Sequence, residues 1–261
     1  GQLRFISGCP PDYFSRTGQR WGNPVYNWAQ LKKVKYSWWV ERIRHDLELF
    51  DYLRIDHFRG FAGFWQIPAQ EKLAVFGRWV KGPGAAFFKI LAKQFKPLPI
   101  IAEDLGEITP DVIELMKQFG FPGMRVLLFG FSGDLNSNPH VPANYPVHCV
   151  AYSGTHDNNT IQGWYRQEAK PHEKANIPQV LQMKLTSRHL HWDMIEVLMK
   201  SRAQTVIIPM ADFLGLKEEG RMNIPATKVS NWQWRLKAKA LTQPLARKIA
   251  RLMKTTDRSN S

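Results

Sequence analysis

Cysteine is nearly missing from this 261-residue chain: Cys9 and Cys149 stand far apart, with no Cys-x-x-Cys spacing. That spacing excludes a disulfide framework and a zinc-finger type of site, and makes a reducing compartment the expected setting. Clustered histidine is missing as well. His189 and His191 are two positions apart, which on a helix points them to different sides, so no structural metal is expected. Long hydrophobic runs are absent: stretches such as Thr205–Met210 and Pro97–Ala102 fall far short of the ~20 residues a membrane-spanning helix needs, so no transmembrane segment is expected. The first residues carry no charged stretch, apolar core and small-residue cleavage site, so no signal peptide is read there. Residue 1 is Gly, and the start reads as a cut. No strand is followed by Gly-x-Gly-x-x-Gly or by Gly-Lys-Ser/Thr, and Gly82-Pro83-Gly84 lacks the third glycine, which argues against phosphate cradling and a nucleotide cofactor.

Negative charge is also scarce. Thirty-six Lys and Arg face 22 Asp and Glu, giving a formal net charge of +14. Such a balance raises the possibility of a polyanionic partner. Part of the excess, however, sits in the tail, where Lys237, Lys239, Arg247, Lys248, Arg251, Lys254 and Arg258 face only Asp257. A basic terminal helix reads more simply as a solvated face. Without a zinc-finger spacing, a helix-turn-helix or an RNP-type strand, neither a nucleic-acid nor a membrane partner is expected.

What is present is a hydrophobic fraction of 44%, enough for a folded domain, arranged in a strand-helix alternation. Short apolar runs rich in β-branched residues predict strands at Tyr52–Asp56, Leu98–Glu103, Met124–Phe129, Cys149–Ser153 and Thr205–Pro209. Trp38, Trp39, Ile43, Leu47 and Phe50 recur at three- and four-residue steps and predict a helix with an apolar stripe. Thr109-Pro110 is a helix start and Gly120 a left-handed cap, which predicts a helix over Pro110–Phe119. Further helices are expected over about Ser187–Arg202 and Leu236–Lys254. Apolar strands alternating with helices imply a parallel sheet covered on both faces. Carboxylates at or just beyond three strand ends, Asp56, Glu103 and Asp157, favour a TIM (β/α)8 barrel over an open sheet. Only five strands are countable. Residues 1–28, rich in Gly, Pro and aromatics, read as a loop, so residues 1–261 are expected to be strands four to eight of one barrel, with strands one to three upstream.

Each acid has a plain and a chemical reading. In Arg54-Ile55-Asp56, period two places Arg54 and Asp56 on one side of the strand, and a neighbouring guanidinium favours the ionised carboxylate that a nucleophile must be. The same pair is also what a structural ion pair looks like. Glu103 follows the apolar Ile100-Ile101-Ala102, whose surroundings would raise a carboxyl pKa, as a general acid requires. It could equally make a strand-end contact. Asp157 lies in the polar loop Gly154-Thr155-His156-Asp157-Asn158. Three acids at the same end of consecutive modules suit glycoside chemistry, which needs at least two carboxyl groups. Ten Trp and seven Tyr would supply rings for sugar stacking, although many will be core.

The segments Arg54-Ile55-Asp56-His57-Phe58-Arg59-Gly60, Ala102-Glu103-Asp104-Leu105-Gly106 and Gly154-Thr155-His156-Asp157-Asn158 resemble signature regions of the 4-alpha-glucanotransferases. This family is also called amylomaltases or disproportionating enzymes, and belongs to the alpha-amylase superfamily. Pro10–Ser15, Gly18–Pro24, Gly77–Trp79, Phe121–Met124 and Asn231-Trp232 extend the likeness over about Pro10 to Leu236. Arg54–Trp65 looks particularly similar to plant plastid and cyanobacterial members.

The resemblance implies Asp56 as nucleophile, Glu103 as general acid/base and Asp157 as transition-state stabiliser. Arg54 and His156 would line the sugar subsite, and Tyr13, Phe14 and Trp21 would lie on an aromatic loop over the glucan. It further implies retaining transfer of alpha-1,4-glucan segments without a cofactor, in a bacterial cytoplasm or a plastid stroma. Two positions depart from the family pattern: Asn159 stands where Asp is common, and Ile224 where Thr is usual. A related alpha-glucan hydrolase is the runner-up among enzymes, and a catalytically incomplete glucan-binding fragment is the alternative outside them.

Overall fold

The computed structural model describes residues 3–11, 15–182 and 189–258. The chain divides into two compact units, the first ending at Gly123 and the second starting at Met124.

The first unit runs β1 (Phe5–Cys9), β2 (Gln19–Pro24), α1 (Trp28–Lys33), α2 (Ser37–Leu49), β3 (Leu53–Ile55), β4 (Gly63–Pro68), β5 (Arg78–Lys81), α3 (Gly84–Gln94), β6 (Ile100–Ala102) and α4 (Pro110–Phe119). Residues 1–28 are therefore more than a loop: they contribute β1 and β2. These strands join β4 and β5 in an antiparallel sheet of order β2-β1-β4-β5. Its small core sets Ile6 against Ile67 and Ala74. The parallel element is separate. β3 pairs with β6 in the register Leu53↔Ile100, Arg54↔Ile101, Ile55↔Ala102.

Behind that pair, Phe58, Phe61, Phe87, Phe88 and Phe121 pack ring on ring with Val40 and Ile43 of α2. The expected stripe on α2 holds at Trp39, Ile43 and Leu47 but not at its ends, where Trp38 and Phe50 are exposed. Trp38 instead meets the Arg42 guanidinium and Tyr26, and Phe50 lies past the helix in extended backbone. α4 spans the predicted residues, with Pro110 in its first turn and Gly120 left-handed at φ 66°.

Gly82 serves close packing rather than phosphate binding. A Cβ at this position would lie 2.2 Å from the Phe61 carbonyl oxygen, in the turn that follows Asp56 and His57. Gly82→Ala must push that backbone aside. The expected cost is about 1–3 kcal/mol, read as a lowered midpoint in urea unfolding with an unchanged m-value.

The second unit contains β7 (Gly123–Val126, which starts at the boundary), β8 (Cys149–Tyr152), α5 (Ile161–Gly163), α6 (Pro171–Leu181), α7 (Leu190–Lys200), β9 (Thr205–Ile207), α8 (Met210–Phe213) and α9 (Gln243–Thr255). The sheet order is β7-β8-β9, with β8 parallel to β9. β7 stops at Val126, and Leu127–Phe129 turn into a 3-10 helix instead of extending the strand. The helix expected from Leu236 begins only at Gln243, because the Thr242 hydroxyl caps it by accepting from Leu245 N and Pro244 follows in the first turn. α7 lies within the expected 187–202, whose first two residues fall outside the described set.

The basic tail is partly structural. The Lys248 ammonium sits 3.7 Å from the centre of the Trp192 ring. The Arg258 guanidinium donates to the carbonyls of Met199, Ser201 and Ala203 at the C-terminal end of α7, where a cation is favoured. Among the described residues no helix is long and apolar enough to cross a membrane.

Candidate active site

Asp56 directly follows β3 and Glu103 directly follows β6. The backbone ladder continues past the strand ends, since Glu103 N donates to Ile55 O and Phe58 N donates to Glu103 O. Continuing the parallel register therefore sets Asp56 beside Glu103, and neighbouring parallel strands run only about 4.8 Å apart. Arg54 Nη1 bonds Asp56 Oδ1 at 2.8 Å, as their two-residue spacing requires. The Asp56 carboxyl is 77% exposed. Glu103 as a residue is only 8% exposed.

The two acids thus occupy opposite environments. Glu103 Oε2 accepts from His57 N and Oε1 from Leu105 N, both at 2.7 Å. Burial pushes its carboxyl above the ordinary range. Those two N–H groups pull it back in part, the Asp56 charge raises it further, and the Arg54 charge lowers it. His57 is a non-glycine residue at φ 47°, a left-handed conformation that aims its N–H at Glu103. Burial, with a smaller push from the Arg59 charge, holds its imidazole below the usual range, against the pull of Asp56. Trp21 of β2 packs edge-on to that imidazole, with ring centroids 4.7 Å apart. Tyr13 and Phe14 lie outside the described residues.

In the second unit Asp157 and His156 lie on the loop after β8. The loop is held by Asn158 Oδ1, which accepts from Thr155 N at 2.8 Å and Thr155 Oγ1 at 3.0 Å. Asp157 Oδ1 accepts from Asn223 Nδ2 at 2.7 Å, and His156 Nε2 stands 3.5 Å from Asp157 Oδ2. His156 also faces Trp232, centroids 5.3 Å apart. A cavity of about 300 Å³ opens here, lined by Thr155, His156, Asn158, Arg221, Trp232 and Trp234. The Arg221 fork ties the wall together, donating to Asn223 O at 2.9 Å, to Asp157 O at 3.2 Å and to Glu168 Oε1 at 2.6 Å.

Sequence reasoning missed Arg221, Asn223 and Glu168. They lie more than 60 residues after Asp157 or in the turn Trp164–Glu168, and no short spacing links them to it. The two departures from the family pattern have accounts. Asn159 Nδ2 donates to Glu168 Oε1 at 2.9 Å, where an Asp would set two carboxylates face to face. At Ile224 the backbone makes the bonds, to Asn231 Oδ1 and from Thr227 Oγ1, while the side chain is exposed. Among the described residues no cluster of three or more His, Cys, Asp or Glu is placed to hold a metal ion.

An α/β chain thus sets an exposed carboxylate paired with arginine beside a desolvated one at the end of the neighbouring parallel strand. The sequence profile of the family described as 4-alpha-glucanotransferase matches residues 2–242. This chain belongs to that family. It is 48% identical over 248 residues to the 4-alpha-glucanotransferase of Clostridium butyricum, an alignment covering 95% of this chain and 50% of that one. It is 51% identical over 231 residues to the chloroplastic/amyloplastic enzyme of Arabidopsis thaliana, covering 88% of this chain and 40% of that one. A solved amylomaltase from Streptococcus agalactiae in complex with acarbose superposes with a TM-score of 0.93 at 36% identity, covering 99% of this chain and 52% of that one. An amylomaltase from Corynebacterium glutamicum shares the fold at 20% identity, with a TM-score of 0.77, over 98% of this chain and 42% of that one. The chain spans about half the length of the curated relatives it matches.

Proposed function

We propose that this chain carries the transfer chemistry of a retaining 4-alpha-glucanotransferase. Glu103 protonates the leaving glycosidic oxygen while Asp56 attacks the anomeric carbon and forms a covalent glycosyl-enzyme. In the second step Glu103, now a carboxylate, takes the proton from the 4-hydroxyl of an incoming glucan, whose oxygen displaces Asp56. Asp157, fixed by Asn223 and Arg221, binds sugar hydroxyls together with His156. Arg54 and Trp21 are assigned to glucan contact as well, and Tyr13 and Phe14, outside the described residues, are further candidates for it. The observation that carries the reading is the desolvated Glu103 beside the arginine-paired Asp56. Burial drives one acid towards its protonated form, while the other lies exposed against the Arg54 guanidinium.

β3 pairs only with β6 among the described residues, so its other edge is available to the upstream strands that a (β/α)8 barrel requires. The working enzyme, in a bacterial cytoplasm or plastid stroma, would then be this chain together with that upstream part. Acarbose, which the Streptococcus agalactiae protein holds, is the ligand to try.

The test is incubation with maltotriose, alone and with the upstream half of a relative added, and chromatography of the products. A ladder of longer and shorter glucans is expected. Glucose and maltose without longer products would make it a hydrolase, and no turnover in either arm would remove the proposal.

The acid has a pH signature. The Arg54 charge lowers the Glu103 pKa, so Arg54→Gln must raise it. A higher pKa keeps the acid protonated to higher pH. The alkaline limb of kcat/KM is therefore expected to move upward in pH in this variant, on a lower overall rate, and a limb that stays put would show that another group sets it.

A further inference from the structure

We infer that Asp212 is a positioning residue that clips together the two ends of the Gly154–Thr160 loop and so sets His156 and Asp157. This rests on the reading above only in assigning that loop to glucan binding. Asp212 sits on α8, just after β9, and is 2% exposed. Its Oδ2 accepts from Ser153 Oγ at 2.6 Å, and its Oδ1 accepts from Ile161 N at 2.8 Å. Ser153 is the residue before the loop and Ile161 the residue after it. One carboxylate thus closes the loop at its base.

A second tie runs alongside, because Thr160 Oγ1 donates to Lys217 O at 3.0 Å in the segment that follows α8. Neither end of the loop is left to the loop's own turn bonds.

A buried carboxyl is an expensive way to fill space, and an aliphatic side chain would pack there at lower cost. Its presence is explained by the two donors it satisfies. Ile161 N is a first-turn amide of α5, which has no carbonyl partner within the helix. The Ser153 hydroxyl is fully buried. Asp212 also borders the cavity that His156, Trp232 and Trp234 line. Loosening its bonds would therefore move the floor and one wall of that cavity together. Burial raises the Asp212 carboxyl pKa, and both hydrogen bonds oppose that shift, as expected for a group held by its partners.

The experiment compares Asp212→Leu, Asp212→Asn and Ser153→Ala in the full chain. It follows amide hydrogen exchange by mass spectrometry and maltohexaose binding by tryptophan fluorescence. Asn keeps one carbonyl for Ile161 N, and its amide can donate to Ser153 Oγ with the hydroxyl reversed. It is expected to preserve the loop. Asp212→Leu is expected to raise exchange over 154–161 by about tenfold and to weaken maltohexaose by about tenfold, with Val150–Tyr152 and Thr205–Ile207 unchanged. Ser153→Ala removes a single bond and leaves the fold in place, so it reports if the Leu variant fails to fold. Its exchange gain is expected to be smaller and confined to the same loop.

Unchanged exchange at 154–161 in Ser153→Ala and in any folded Leu variant would overturn the inference, as would a rise spread evenly over the second unit. If the unsubstituted chain binds no maltohexaose, the glucan reading fails, while the exchange arm still decides the role of Asp212.

Discussion

Glu103→Gln is expected to lower transfer from maltotriose by about 10²–10⁴-fold, the range that a positioned general acid contributes. The loss should depend on the leaving group. A maltosyl fluoride needs little protonation to depart, so formation of the glycosyl-enzyme from it should survive the substitution far better than from maltotriose. An equal loss with both donors would mean that Glu103 does not act on the leaving oxygen. The variant carries a structural penalty that has to be measured alongside. His57 N and Leu105 N each donate to a separate carboxylate oxygen, and Gln offers only one acceptor. One of these N–H groups is left facing an NH₂, at a cost of about 1–3 kcal/mol. Thermal unfolding of the variant therefore belongs with the kinetics.

Asp56→Asn is expected to remove transfer almost entirely, by on the order of 10⁴-fold or more, because no covalent intermediate can form. Here the fold should be indifferent. The Asp56 carboxyl is 77% exposed, and a pair as open as Arg54–Asp56 contributes no more than about 1 kcal/mol. The two substitutions are therefore complementary: one affects both stability and rate, the other rate alone. Residual transfer in Asp56→Asn above about one hundredth of the unsubstituted rate would assign the nucleophile elsewhere.

The local signals in the sequence were those carried by one segment at a time. Thr109-Pro110 and Gly120 delimit α4 without help from any other element. β6 and β8 announce themselves because their buried residues are apolar throughout, and β9 by its β-branched run, although Thr205 and Ile207 are exposed. Arg54 and Asp56 meet because two residues on a strand share a face. The antiparallel sheet was hidden for the opposite reason. Gln19–Pro24 is largely exposed and shows no alternation, and it is a strand only because β1 binds it. β1 in turn needs β4, some 60 residues on. Arg221, Asn223 and Asp212 were illegible on the same ground. Each is an ordinary polar residue until folding carries it to the loop after β8. The tail is a solvated face for the most part, as its charge suggested, but Lys248 also stands over a ring and Arg258 binds the carbonyls ending α7, contacts that no local spacing signals.

The left-handed peptide at His57 has an electrical consequence. Its N–H ends on the Glu103 carboxyl, and the same residue is bonded through its backbone to Asp56. When Glu103 gives up its proton, that hydrogen bond becomes charge-assisted and strengthens, drawing on the peptide next to Asp56. When the proton returns, the bond relaxes. The protonation of Glu103 is thus coupled, through a single peptide, to the residue that carries the Asp56 carboxyl.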